Sequence, residues 1–305
     1  MRHVPVLLNE VLAGLSPQPG QNFIDGTVGD AGHSEKILEL TGQNGRLLAI
    51  DADPESLLRA KQHLYNFAER VEYERANFSE LERIVKEKQF GPVQGILLDL
   101  GWSSPQFEER GRGFSFAKDE PLDMRYSGSQ SMSNVLTAAE LMHDSTQTEL
   151  ENIFKNYGEE NLYKEIAAAI VEQRKIKPIE LTSELVEVVL QAYRTKLKTN
   201  KEVPWVGGLH PATKVFQALR IAVNNELGVV EEVIPMAVNV LASGGKLAII
   251  TFHSLEDRIV KHLFKELEAK QIGTIITKKP IECSPDEAAA NPRARSAKLR
   301  ILQKN

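Results

Sequence analysis

The chain has 305 residues, 42% of them hydrophobic and 26% charged, with a formal net charge of −5. That balance describes a folded globular chain and argues against a generic polycationic nucleic-acid coat, while leaving room for a local basic surface. Cys283 is the single cysteine, which excludes an internal disulfide framework and a cysteine metal cluster, and no metal site is expected.

In residues 1–10 the apolar run is broken by Glu10 before it reaches the length of a signal core, and no stretch approaches the roughly 20 apolar residues of a membrane span. A cytoplasmic chain without a membrane segment is the expectation. Residues 4–15 read as a turn and a helix, closed by Pro17 and Pro19. The next stretch is the most informative: Phe23-Ile24-Asp25-Gly26-Thr27-Val28-Gly29-Asp30-Ala31-Gly32-His33-Ser34. Two apolar residues end a strand, a carboxylate follows, glycines recur at three-residue steps, and a helix is expected to start at Ser34. A strand, a glycine-rich turn and a helix make a nucleotide-sized pocket, because glycine admits a ligand close to the backbone and a helix start offers N–H groups. The spacing Gly26-x-x-Gly29-x-x-Gly32 departs from the G-x-G-x-x-G of dinucleotide sites and disfavours an NAD-dependent oxidoreductase. Asp25, ahead of the glycines, suits a ligand with a positively charged amino group, which S-adenosylmethionine carries and NAD lacks. Thr27 and Ala31 occupy two of the glycine places of the usual methyltransferase pattern.

Arg46-Leu47-Leu48-Ala49-Ile50-Asp51 reads as a buried strand ending in an acid, with Asp53 as helix cap and Pro54 at the first helical position. An acid at the end of the second strand takes ribose hydroxyls in nucleotide-binding α/β folds, and Asp51 holds that place. A third strand spans residues 71–78 and leaves Phe78 where an adenine ring would be covered. The fourth, residues 94–99, ends in Asp99. Asp25, Asp51 and Asp99 are therefore expected at one sheet edge, where doubly wound sheets bind ligands.

Methyl transfer from a sulfonium is an in-line displacement in which the protein chiefly positions the nucleophile. An exocyclic amine such as cytosine N4 is a poor nucleophile, and acceptors for its hydrogens help aim its lone pair. Two registers offer them: Asp99-Leu100-Gly101-Trp102, and Ser104-Pro105-Gln106-Phe107. In a third reading, Asp99 serves the cofactor alone and the aromatic residues pack. Methylation at carbon 5 of a pyrimidine needs a cysteine nucleophile, and Cys283, in a late charged segment, is a poor candidate.

Residues 111–209 break the strand–helix alternation and read as an inserted helical domain for substrate recognition, flanked by an α/β domain of residues 1–110 and 210–305. Thr146-Gln147-Thr148-Glu149 is a capping box, and amphipathic helices are expected over 161–177 and 182–198. Arg194, Lys196, Lys198 and Lys201 form a basic run. After 210 a long helix, a second helix and the strand 246–252 return to the α/β pattern. His253 leaves that strand as a structural residue or as part of the substrate pocket. Residues 273–278 and 297–302 read as a closing antiparallel pair, with the basic loop 291–296 between them.

Taken together, the segments His3-Val4-Pro5-Val6-Leu7-Leu8, Asp25-Gly26-Thr27, Gly32-His33-Ser34, Ala49-Ile50-Asp51-Ala52-Asp53-Pro54, Ser103-Ser104-Pro105-Gln106, Arg110-Gly111-Arg112-Gly113-Phe114-Ser115-Phe116, Pro121-Leu122-Asp123-Met124-Arg125, Tyr157-Gly158-Glu159-Glu160, His210-Pro211-Ala212-Thr213, Phe252-His253-Ser254-Leu255-Glu256-Asp257-Arg258 and Asn291-Pro292-Arg293-Ala294-Arg295-Ser296 resemble the bacterial small-subunit ribosomal RNA cytosine-N4 methyltransferases nearly end to end. The resemblance implies a class I S-adenosylmethionine-dependent methyltransferase fold, Rossmann-like and doubly wound with an antiparallel closing strand, interrupted by a helical insert. It implies methylation of a cytidine in the decoding region of 16S rRNA, with that RNA met within the small ribosomal subunit. Its cofactor contacts fall on Ala31, Gly32, His33, Asp51, Phe78, Asp99 and Gln106, with Asp25 beside them. Asp99, Ser104, Pro105 and His253 are the candidates for the catalytic site. Asp30, Ala31 and Trp102 stand where Arg, Gly and Val are common in the family. The other reading is a non-catalytic ribosome-assembly or RNA-binding factor that retains the cofactor pocket. A homodimer is compatible with the sequence, which does not fix the oligomeric state.

Overall fold

In the computed structural model, residues 5–100, 111–126, 135–199, 201–206 and 208–305 are described. The sequence candidates Ser104, Pro105 and Gln106, with Trp102 and Phe107, lie outside them. Helix α1 (Leu8–Leu15) precedes β1 (Asn22–Asp25), α2 (Gly32–Thr41), β2 (Leu47–Asp51), α3 (Pro54–His63), β3 (Val71–Arg75), α4 (Leu81–Lys88) and β4 (Val93–Asp99). Asp53 caps α3 by accepting from the N–H groups of Glu55 and Ser56, with Pro54 in the first turn, as its sequence predicts.

The helical unit follows with α5 (Ala138–Asp144), α6 (Gln147–Gly158), α7 (Tyr163–Ile176), α8 (Thr182–Leu197) and α9 (Thr213–Asn224). Both Thr137 with Glu140 and Thr146 with Glu149 form capping boxes; sequence reading found only the second. The chain then returns through α10 (Glu226–Val240), β5 (Leu241–Thr251), α11 (Ser254–Ala269), β6 (Gly273–Ile275), β7 (Ile281–Glu282), α12 (Pro285–Ala290) and β8 (Lys298–Lys304).

The sheet runs β3-β2-β1-β4-β5-β8-β6, with β7 added on β8. Strands β3 to β5 pair in parallel, whereas β8 is antiparallel to β5, β6 and β7. Successive residues along each parallel strand feed opposite layers. Phe23, Leu47, Leu97 and Ile250 enter one apolar cluster with Ile37 and Ile301. Ile24, Leu48, Leu98 and Ile249 enter the other with Val233 and Phe264. Cover on both faces is why these strands read as continuous apolar runs. This is the doubly wound sheet with an antiparallel closing strand expected from the sequence. Among the described residues, no helix is long and apolar enough to cross a membrane.

Two compact units divide the chain, one of Met1–Gly101 with Leu227–Asn305 and one of Trp102–Glu226. The second unit is thus wider than the expected 111–209. Helix α9, expected with the sheet, gives Val215, Phe216 and Leu219 to the helical core around Phe154, Ile166 and Leu185. Its apolar periodicity announces a buried face but does not say which core covers it. The basic run is also less available than its sequence suggests: Arg194 pairs with Glu187 and Lys196 with Glu165, each at 2.6 Å.

Gly158, the last residue of α6, lets that helix approach α9, and a Cβ there would lie 2.7 Å from the Lys214 carbonyl oxygen. Backbone cannot retreat as a flexible side chain does. Gly158→Ala should therefore destabilise the helical unit by about 1–3 kcal/mol, read as a lowered midpoint in chemical denaturation; an unchanged midpoint would remove this close approach from the account of its packing.

Candidate functional site

The site begins where β1 stops. The first residue of the loop, Gly26, gives its N–H to the Leu97 carbonyl on β4 at 3.0 Å, and Val28 gives its own to Ile50 on β2 at 3.0 Å. The loop is therefore wedged between both neighbours of β1. A Cβ on Gly26 would fall 2.5 Å from Leu98 Cδ2 and 3.5 Å from Phe78 Cβ, so a side chain here would oblige Leu98 to shift, and Phe78 stands directly beside it. Gly29 and Ala31 both take left-handed backbone, at φ 50° and 62°. Glycine adopts that conformation freely, whereas alanine does so at a cost of about 1 kcal/mol.

Asp25 is buried and fully engaged. One carboxylate oxygen accepts from the Ser34 hydroxyl at 2.6 Å and the other from the Thr27 N–H at 3.1 Å. Ser34, expected as the helix start, instead sits inside the first turn of α2, which begins at Gly32 with Ala31 as its cap residue. Thr27 earns its glycine place: its hydroxyl also accepts from the Asp99 N–H at 2.7 Å, tying the loop to the end of β4. Asp51 closes the other side, accepting from the N–H groups of Gly29 at 3.0 Å and Asp53 at 2.9 Å. The three acids thus meet at the carboxyl edge of adjacent strands, joined by one loop.

Asp30 brings a further negative charge, and the structure answers it. Arg59 on α3 reaches Asp30 Oδ1 through Nε at 2.7 Å and the Ser56 hydroxyl through Nη2 at 3.1 Å. No sequence motif announces Arg59; it is 29 residues from its partner and lies mid-helix.

The other sequence candidates separate. Ala31 is completely buried, with its N–H given to the Val28 carbonyl at 2.7 Å and its carbonyl accepting from the Glu35 N–H at 2.9 Å, so it shapes the turn rather than presenting a group to a ligand. A Cβ on Gly32 would strike Pro5 Cγ at 2.3 Å, so this glycine is needed for close passage of the N-terminal segment. The His33 ring is buried, with Nε2 2.9 Å from the Val6 carbonyl oxygen, so its side chain anchors that same segment. Phe78, at the first position of a short 3₁₀ turn, remains partly exposed. In register, Asp99 lies beside Ile250, which places His253 on the same edge just beyond β5. His253 caps α11: its Nδ1 accepts from the Glu256 N–H at 3.4 Å, and its Nε2 lies 3.1 Å from Glu256 Oε1. Glu256 in turn accepts from the N–H of Phe252 at 2.8 Å. Of the two roles the sequence leaves open for His253, structural residue or pocket residue, its Nδ1 contact with the Glu256 N–H belongs to the first.

An α/β sheet with a glycine loop wedged at the end of its first strand, acids on three strand ends and an antiparallel closing strand defines a Rossmann-like methyltransferase of class I. A profile of the MraW methylase family matches residues 1–305, and the chain belongs to that family. It is 43% identical to the ribosomal RNA small subunit methyltransferase H of Heliobacterium modesticaldum, covering 99% of this chain and 98% of that protein. Its identity to the protein of the same description is 44% in Heliobacterium mobile, over 99% and 98% of the two chains, and 42% in Trichlorobacter lovleyi, over the same shares.

Burial pushes the Asp25 carboxyl up from 3.8 to about 6, against the opposing hydrogen bonds of Ser34 and Thr27. Burial does the same to Asp51, also to about 6, against the N–H groups of Asp53 and Gly29 and with repulsion from Asp53 and Asp25 adding to it. Between about pH 4 and 6 the folded chain therefore binds more protons at these acids than the unfolded chain does, so their ionisation lowers stability as pH rises. Thermal melts of the ligand-free protein across this range should show Asp25→Asn gaining on the parent as pH rises and the gap levelling above about pH 6. A gap that stays flat would contradict the burial assigned to this acid.

Proposed function

We propose that this chain transfers a methyl group from S-adenosylmethionine to the exocyclic N4 of a cytidine in the decoding region of 16S rRNA. The observation that carries this reading is the convergence of Asp25, Asp51 and Asp99 on a single glycine loop, in a chain whose family and full-length relatives are rRNA methyltransferases. Family membership disfavours the alternative of a non-catalytic assembly factor.

The donor set fits the cofactor. S-adenosylmethionine supplies an electrophilic methyl on a positively charged sulfonium. Asp51, at the end of β2 and partly exposed, is placed to accept from ribose hydroxyls. Phe78 beside Gly26 offers a face for the adenine. The backbone of Ala31 and Gly32 lines the start of α2, and the negative edge that includes buried Asp25 favours a cation. His33 acts through the N-terminal segment that its ring anchors. Gln106 belongs to the cofactor side of this reading by resemblance alone.

In the transfer itself, Asp99 accepts a hydrogen of the cytosine amino group and so turns its lone pair toward the methyl; Ser104 and Pro105 form the adjoining register. The target base must leave its stack, at a cost of a few kcal/mol. His253 is read as supporting this edge from the start of α11 and Glu256. The helical unit is assigned to recognition of the RNA, the assembled small subunit is the proposed substrate form, and the cytoplasm is the proposed compartment. A homodimer would follow from a sedimentation mass of twice the 34.0 kDa chain.

The experiment incubates the protein with methyl-labelled S-adenosylmethionine and small ribosomal subunits lacking the modification, then digests the RNA to nucleosides. Label should appear in N4-methylcytidine; label in another nucleoside would sink the N4 assignment. A charged hydrogen bond of the Asp51 kind is worth about 1.5–3 kcal/mol, so Asp51→Ala should weaken cofactor binding by roughly 10- to 150-fold. Asp99→Ala should cut transfer at saturating cofactor by about a hundredfold, and a variant that still methylates at the parent rate would remove Asp99 from the base-holding role.

A further inference from the structure

The polar contacts around the glycine loop do not stop at the acids. Starting from Asp30, they run to Arg59 Nε at 2.7 Å, and from Arg59 Nη2 to the Ser56 hydroxyl at 3.1 Å. Ser56 donates to Asp53 Oδ2 at 2.8 Å, and the Asp53 N–H donates to Asp51 Oδ1 at 2.9 Å. Asp51 Oδ2 then accepts from the N–H of Gly29, at 3.0 Å, one residue before Asp30. The chain of contacts closes on itself. It holds the turn 29–31 at two points, by Asp51 at the end of β2 on Gly29 and by Arg59 in the middle of α3 on Asp30.

That turn needs an external hold. Gly29 and Ala31, on either side of Asp30, both adopt left-handed backbone, and for alanine the conformation persists only where its surroundings impose it. A guanidinium is suited to the task. Its planar fork engages two acceptors at once, which an ammonium on a flexible stem does not reproduce. The side chains of Arg59 and Asp30 are about two-thirds or more shielded from solvent, at 34% and 25% exposure, so the pair is not a fully hydrated surface contact.

We propose that Arg59 is a positioning residue for the cofactor: by gripping Asp30 and Ser56 together it holds the turn 29–31 against the carboxylate of Asp51. This rests on the reading of that edge as the S-adenosylmethionine site. The contacts of Arg59 with Asp30 and Ser56 give it a hold on the turn, so its loss should act on binding rather than on the transfer step. A positioning role also differs from a charge role. S-adenosylmethionine carries a positive sulfonium and S-adenosylhomocysteine a neutral thioether, so a misplaced loop weakens both alike, whereas an altered local charge changes their ratio.

The test uses the full-length protein and measures dissociation constants for both ligands by titration calorimetry, together with the rate at saturating cofactor. Loss of a charge-assisted contact of this kind predicts that Arg59→Ala weakens both ligands about tenfold, with their ratio kept and the saturated rate within about twofold. Arg59→Lys should restore part of the loss, because it keeps the charge but not the fork. The Asp30→Ala, Arg59→Ala double variant should be no worse than the weaker of the two single variants, since both residues act through one contact. Should Arg59→Ala fail to fold, Arg59→Lys carries the comparison, with an expected weakening of about threefold in both ligands. Parental affinity in the folded variants, a loss confined to S-adenosylmethionine, or multiplicative losses in the double variant would each overturn the proposal. A parent protein that binds the cofactor but methylates no RNA would count against the proposed function and leave this test intact.

Discussion

The site depends on one constraint: the chain leaving β1 is hydrogen-bonded to both neighbouring strands before it turns. Gly26 donates to Leu97 on β4 and Val28 to Ile50 on β2. These two bonds extend the ladder pattern past the end of the strand, so the loop has no freedom to swing away from the sheet. Thr27 lies between them and, from that position, reaches both Asp25 and the N–H of Asp99. A side chain at position 26 would press on Leu98 and oblige it to shift, so glycine lets the wedge sit close to β4. The geometry of all three acids then follows from strand pairing, which is among the most rigid features of the fold.

Such an edge is electrostatically expensive when empty. Asp25 is buried at 2% exposure and holds its proton more tightly than an ordinary carboxylate. Its compensation comes from hydrogen bonds to Ser34 and Thr27, and that of Asp51 from backbone N–H groups. Burying a carboxylate without a full counter-charge costs stability, and that cost falls chiefly on Asp25, since Asp51 and Asp99 are only half-buried. Arg59 offsets Asp30, from a position six residues beyond the cap Asp53. The edge as a whole therefore stays negative toward the opening that the proposed cofactor would enter.

What the sequence disclosed and what it withheld divides along the range of the interaction. Strands β1, β2 and β4 were legible because burial on both faces leaves continuous apolar runs, each closed by an acid. The caps at Asp53 and Thr146 were legible because their partners lie within three residues. The sequence places the helix start at Ser34, two residues late, and gives no sign that the Ser34 hydroxyl is claimed by Asp25 nine residues away. His33 was carried to the cofactor by resemblance, yet its ring bonds the Val6 carbonyl across 27 residues. The boundary of the helical unit was misplaced for the same reason: α9 has an amphipathic pattern that fits either core, and only the packing of Phe216 and Leu219 against Phe154 decides it.

The departures of this chain at positions 30 and 31 are better understood as a coupled pair than as two defects. Ala31 places a methyl where left-handed backbone disfavours it, yet that methyl is wholly buried in the apolar cluster with Val28 and Leu7. Burial of a methyl group is worth about 0.8 kcal/mol, close to the conformational cost of about 1 kcal/mol. Burial thus offsets much of the conformational cost, and a restraint on the turn has only the remainder to supply. Asp30, gripped by Arg59 from α3, sits immediately before it and supplies that restraint. An acid at position 30 thus places its own partner within reach on the neighbouring helix, and the hold it provides lets a non-glycine residue occupy the last bend before α2. Part of the loop's conformation is then held by an ion pair rather than permitted by the absence of a side chain.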